Sequence, residues 1–171
     1  MTGETSSPAV SGVSAYPKLH STLHGAEYHK VSPKNQVTIP RHMMQALRAG
    51  KEGPLFLVRF LDDGFLRLVT QEQLDRMLDR IRDHPKLDAP QKAAAIRHLS
   101  SGAKLVEPDQ QGRFVLPSQL VQEMGLREEV AFCGAQNRIE IWPAAARRDL
   151  ESADQQVLRK LEPAIKEVLD L

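Results

Sequence analysis

Two short polar segments carry the side chains best suited to recognition chemistry. The first is Lys34-Asn35-Gln36, which runs on through Val37-Thr38-Ile39-Pro40 to Arg41, and the second is Gln111-Gly112-Arg113, which runs on through Phe114-Val115-Leu116-Pro117. An arginine fork grips guanine or phosphate through two parallel hydrogen bonds, a glutamine amide can do the same for adenine, and lysine attracts phosphate as a point charge. These groups bind; they do not make or break bonds. No Ser-His-Asp or Cys-His arrangement and no phosphate-cradling glycine loop emerges elsewhere in the chain, so no catalytic residue is expected. His20 and His24 stand four apart with His29 beyond, but no cysteine or carboxylate cluster joins them, and no zinc is expected. Asp62-Asp63-Gly64 lacks the downstream ligands of a calcium loop and reads as a hairpin turn. No metal or cofactor is therefore called for. Cys133, the single cysteine, lies in the apolar run Val130-Ala131-Phe132-Cys133 and reads as a small buried hydrophobe.

The elements that must position the polar segments form an internal repeat. Val31 to Pro40 aligns with Pro108 to Pro117, the two prolines setting an offset of 77 residues. Each copy reads as a turn, a short strand, a proline and a short helix. The second helix has Ser118 as its expected N-cap and Gly125 as its stop, with Leu120, Val121 and Met124 at helical spacing. The first helix, over about 41–47, is matched more loosely by Met43, Met44 and Leu47. A hairpin follows in each copy, around Asp62-Asp63-Gly64 in the first and Gly134-Ala135-Gln136-Asn137 in the second. Between the copies lies a helical insert. Thr70 with Gln73 predicts a capping box, Leu74, Met77, Leu78 and Ile81 make an apolar face, and Asp88 caps a second helix. A C-terminal helix carries Leu150, Val157, Leu158, Leu161, Ile165, Val168 and Leu169 along one side, with Pro163 expected to kink or split it. The boundaries drawn are a disordered arm at 1–22, a first β domain at 23–69, a helical linker at 70–101, a second β domain at 102–149 and the C-terminal helix at 150–171. A unit of about 45 residues buries little core alone, so each copy is expected to complete the other.

Composition sets the outer bounds. The chain has 171 residues, 41% hydrophobic and 26% charged, with few aromatics and a formal net charge of +1. A polyanion partner must therefore be met by local patches. Residues 27–69 hold seven Lys/Arg against four Asp/Glu, or +3, whereas residues 99–150 hold six against seven, or −1. No stretch approaches the length of a membrane span and no secretory signal pattern opens the chain, so a cytoplasmic setting without membrane contact is expected.

Residues 23–40 resemble the opening of MraZ proteins, in which an aromatic-x-Gly start leads to an Asp-x-x-Gly-Arg turn and a strand ending in proline. The second copy is the fuller match. Asp109-Gln110-Gln111-Gly112-Arg113 carries the whole turn motif, and Met124 to Val130 and Gly134 to Trp142 follow in the family's order. The first copy departs from it: Ser32 stands where the family has Asp, Asn35 where it has Gly, and Gln36 where it has Arg. A Lys-Gly-Gln-Val-Thr-Ile-Pro turn occurs in the wider AbrB-like superfamily, and asparagine tolerates a positive φ. The resemblance implies a mainly β fold with α, a tandem pair of AbrB/MraZ-like swapped-hairpin domains forming an intramolecular pseudo-dimer. It implies a nucleoid-associated, sequence-specific DNA-binding regulator. Such a protein represses cell-wall and division genes and its own operon, and acts as a ring of identical subunits on repeated promoter elements. Its partners are then double-stranded DNA and copies of itself, with no small-molecule substrate. Two turns set side by side would enter a major groove, with Lys34, Asn35, Gln36, Arg41, Gln111 and Arg113 as the contacting set and Asp109 ordering its turn. Taken alone, Arg113 is an ordinary surface arginine; the repeat and the resemblance give it the DNA role. The alternatives are an AbrB-like antitoxin, against which the duplication argues, and an adaptor that binds a protein partner with weak or no DNA binding, which the altered first turn supports.

Overall fold

The computed structural model describes residues 23–48 and 53–171. The expected arm at 1–22 lies outside them. The architecture is mixed α/β, with antiparallel sheets and a long C-terminal helix. In chain order the elements are β1 (Ala26–Lys30), β2 (Gln36–Thr38), α1 (Arg41–Arg48), β3 (Leu55–Val58), β4 (Leu66–Thr70), α2 (Gln71–Arg82), α3 (Ala89–Gly102), β5 (Lys104–Val106), β6 (Arg113–Val115), α4 (Ser118–Met124), β7 (Glu129–Ala135), β8 (Arg138–Pro143) and α5 (Ala144–Val168).

One six-stranded sheet runs β1-β7-β8-β4-β3-β5, and a two-stranded ribbon pairs β2 with β6. Every neighbouring pair is antiparallel. The first strand of each copy lies on the hairpin of the other: β1 pairs with β7, and β5 with β3. Exchanging the two copies maps this strand order onto itself.

Strand alternation sorts the side chains into two layers. Leu55, Leu57, Leu66, Leu68, Val130, Phe132, Ile139 and Ile141 face the ribbon, where Val37, Ile39, Phe114 and Leu116 close the main core with Met43 and Leu120. On the opposite face Val58 and Val69 meet Leu74 and Leu99 of the helical insert, with Met77, Leu78 and Ile81 packed around them. The expected apolar face of α2 is thus the face that is covered. The core is almost entirely aliphatic, and no polar or charged side chain is buried among the described residues.

Local chemistry explains where the helices begin. Thr70 Oγ1 accepts from the Gln73 amide (3.2 Å) while Gln73 Oε1 accepts from the Thr70 amide (2.9 Å), the reciprocal pair expected of a capping box. Asp88 and Gln91 repeat the device at α3 (2.8 and 3.0 Å). Gly125 ends α4 at φ 67°, as expected. Ser118, expected as the N-cap of α4, is instead its first helical residue. Pro117 holds the cap position, and no side chain caps the helix. A proline there has φ already near the helical value and lacks the amide that a cap would have to satisfy.

Two further expectations change at the C-terminus. The helix begins at Ala144, not near residue 150, because Pro143 closes β8 and starts α5 directly. It also runs through Pro163 without a split, as one element of 25 residues. Gly134 marks a close approach of backbones: a Cβ built there would lie 2.3 Å from the Leu23 carbonyl carbon. That packing lets Leu23 reach the main core and lets the Gly134 amide donate to Gly25 O (2.9 Å).

Candidate nucleic-acid interface

The ribbon is built from the two repeated turns, and their hydrogen bonds correspond one for one. In the first, the Ser32 amide donates to Gln36 O (2.9 Å) and the Asn35 amide to Ser32 O (2.9 Å). Ser32 Oγ accepts from the amides of Lys34 (3.2 Å) and Gln36 (3.0 Å). In the second, the Asp109 amide donates to Arg113 O (2.9 Å) and the Gly112 amide to Asp109 O (2.9 Å). Asp109 Oδ1 accepts from the amides of Gln111 and Arg113, both at 2.9 Å. A serine hydroxyl and an aspartate carboxylate thus fill the same structural place. The fourth residue of each turn has positive φ, 58° at Asn35 and 83° at Gly112, a region that only glycine, and less freely asparagine, adopts without strain.

The turns then clasp one another. The Ile39 amide donates to Gly112 O (2.9 Å) and the Leu116 amide to Asn35 O (2.8 Å). Gly112 is buried, and a Cβ there would meet Ile39 O at 3.0 Å. Val37 pairs with Phe114 at the ribbon's centre, and both point into the core. Gln36 opposite Val115, and Thr38 opposite Arg113, therefore form the outward face. Gln36, Arg113 and Val115 are exposed and Thr38 is half-buried. Cross-strand geometry sets Gln36 and Arg113 roughly 7–8 Å apart on this face.

Because β2 and β6 are antiparallel, the turns stand at opposite ends of the ribbon, not side by side. Lys34 and Asn35 flank the Gln36 end, and Gln111 flanks the Arg113 end. Arg41 opens α1 two residues beyond Ile39, whose amide is bonded to Gly112, so it joins the Arg113 end. Lys34, Arg41 and Gln111 are all exposed. Thr38 and Val115 were not singled out from the sequence. Strand alternation through the buried Val37 and Phe114 was the signal that would have placed both on the outer face.

Asp109 also takes Arg113 Nε in a 2.7 Å ion pair. This carboxylate is held below the usual range, first by the Arg113 amide and then by the Arg113 side chain. The bond holds the guanidinium through Nε, and no hydrogen bond joins its two terminal nitrogens to the carboxylate. A bidentate contact would use those two nitrogens. Ser32 offers no such pairing to Gln36, so the two ends of the ribbon differ in charge and in stiffness.

His29 packs edge-on against Phe132 (5.5 Å between ring centroids) and bonds Glu27 (3.1 Å), while His20 lies outside the described residues. Among the described residues no three His, Cys, Asp or Glu side chains gather as metal ligands. Cys133 is buried, its thiol pushed up by burial, with Arg147 Nε 3.2 Å from its sulfur. Among the described residues no helix is long and apolar enough to cross a membrane.

A family model described as "MraZ protein, putative antitoxin-like" matches residues 99–164, which take in the second turn, β6 and most of α5. The protein named "Transcriptional regulator MraZ" of Heliobacterium modesticaldum is 30% identical over 118 residues, 69% of this chain and 78% of its own length. Proteins of the same name from Acetivibrio thermocellus and Bacteroides fragilis are 29% and 27% identical, covering 70% and 66% of this chain and 80% and 72% of theirs. With its paired turns and ordered motifs spread over both copies, the chain belongs to the MraZ family.

Proposed function

We propose that this chain is a transcriptional regulator that binds double-stranded DNA through the outward face of the β2–β6 ribbon. The observation that carries this reading is the meeting of Gln36 and Arg113, from turns 77 residues apart in sequence, on one exposed two-stranded surface. A ribbon of two strands fits a major groove about 12 Å wide. In this reading Arg113 grips guanine or phosphate, Gln36 reads an adenine edge, and Val115 offers an apolar contact to a thymine methyl. Lys34, Asn35, Arg41 and Gln111 hold the flanking phosphates. The interleaved strand order and the matched turn bonds support a tandem swapped-hairpin pseudo-dimer, with the domain limits drawn from the sequence except that the C-terminal helix begins at Ala144. In this reading the chain assembles into a ring on repeated promoter elements and represses cell-wall and division genes and its own operon from a nucleoid-associated position, as the resemblance to the family implies.

The test is a mobility-shift titration at several salt concentrations, using DNA from upstream of the chain's own gene. The expected result is tight binding that weakens with salt, and a loss of roughly 1–3 kcal/mol on Arg113→Ala. Absence of binding at every salt concentration by a well-folded protein would overturn the reading.

A further inference from the structure

The C-terminal helix is anchored at one end only. Ala144 is buried, Arg147 reaches Cys133, the Tyr28 hydroxyl donates to Glu151 (3.3 Å), and Arg148 pairs with Glu129 (2.6 Å) while lying over the Tyr28 ring. Every residue beyond Glu151 is exposed. That stretch projects about 25 Å from the sheet at 1.5 Å per residue. A lone helix of this length is marginal in water. It nonetheless displays Val157, Leu158, Leu161, Ile165 and Val168 on one side, with Leu161 48% and Val168 81% exposed.

We propose that residues 154–171 pair in antiparallel fashion with the same residues of a second copy of this chain. The proposal rests on the self-assembly part of the function proposed above and names one two-fold contact within it, which by itself joins chains in pairs. The heptad pattern fixes the register. Val157, Leu161, Ala164 and Val168 fall at core positions with 3.5-residue spacing, and Leu158 and Ile165 extend one flank. Setting Val157 against Val168 of the second copy also sets Leu161 against Ala164, a large residue against a small one. The same register puts Leu158 beside Ile165 on one flank and Lys160 beside Glu167 on the other, each contact occurring twice by symmetry. Lys160 and Glu167 make no ion pair among the described residues, whereas Lys166 is already paired with Glu162 (2.9 Å) along the helix. A parallel pairing would bring Lys160 against Ile165 and leave Glu167 unmatched, so charge complementarity selects the antiparallel one. A lipid surface is a poor occupant. Residues 150–171 hold three Lys/Arg against five Asp/Glu, or −2, which anionic headgroups repel.

The full-length chain provides the test, by light scattering and sedimentation over a range of concentrations. Lys160→Glu and Glu167→Lys are each expected to weaken self-association roughly ten-fold, and the double charge exchange to restore it. Thermal unfolding of the sheet core should be the same in all three variants, whatever helix the unpaired residues 154–171 lose. In a Cys133→Ala background, Val157→Cys and Val168→Cys chains mixed together should form a disulfide that neither forms alone. A double exchange no better than the single ones, or a Val157→Cys chain that links to itself, overturns the antiparallel pairing. Wild-type mass retained by all three charge variants overturns this contact while leaving assembly itself standing. A wild-type chain that is monomeric throughout overturns both. DNA binding is read separately through Arg113→Ala.

Discussion

Asp109 and Ser32 occupy the same place in matched turns, yet only one of them titrates. Asp109 is held below the ordinary carboxylate range by the Arg113 amide and side chain. Because its folded value is lowered, the stabilisation it contributes is fully present above about pH 4, the unfolded value, and is lost as pH falls through the folded one. Amide resonances of Gln111 and Arg113 are therefore expected to shift together under acid, below the usual aspartate midpoint. Those of Lys34 and Gln36, held by a hydroxyl, should not follow Asp109. A two-dimensional NMR titration checks this, and equal movement of both turns would contradict the account. Asn35 shows the same economy. Asparagine is the one common alternative to glycine where φ must be positive, so the altered first turn keeps the shape of the second.

Elements meet here by exchange between the two copies, and the exchange depends on close contacts that a side chain would block. β1 can reach β7 only because Gly134 leaves room for the Leu23 backbone. Gly134→Ala must push the chain before β1 off the sheet and withdraw Leu23 from the core. The expected cost is about 2–4 kcal/mol, by the same physics as a large core truncation. In thermal unfolding that is a drop in Tm of several degrees for a domain of this size. Gly125→Ala, which meets nothing and only strains a left-handed residue, should cost about 1 kcal/mol. Equal effects of the two substitutions would show that the contact with Leu23 does not matter to stability.

Taken as a whole, the molecule has little charge to offer a polyanion, +1 over 171 residues. One ribbon presents Lys34, Arg41 and Arg113 as its cations, which suits weak contact at a single site. Affinity then has to come from several ribbons held together on repeated elements. Binding to a probe with several repeats is expected to exceed binding to a single repeat by roughly 10²–10⁴. Lys160→Glu, which weakens self-association roughly ten-fold, should lower that difference by up to about the same factor and leave single-repeat binding unchanged. Fluorescence anisotropy on the two probes measures both, and equal affinity for them would argue against the multivalent mechanism.

The duplication, the capping box at Thr70, the cap at Asp88, the αL stop at Gly125 and the apolar face of α2 were all legible along the chain. Each depends on spacing within a few residues, where local hydrogen bonding and side-chain period decide the outcome. The two polar segments could be recognised for the same reason. Their arrangement could not, because the direction in which β2 meets β6 depends on contacts between residues 77 apart. Antiparallel pairing sent the turns to opposite ends of the ribbon and put Val115 and Thr38 on its face. Likewise the start of α5 at Ala144 depends on how β8 ends against β7. Its apolar stripe was readable as a periodicity, but only the packed chain left that stripe uncovered, since nothing else in the described fold extends far enough to reach it.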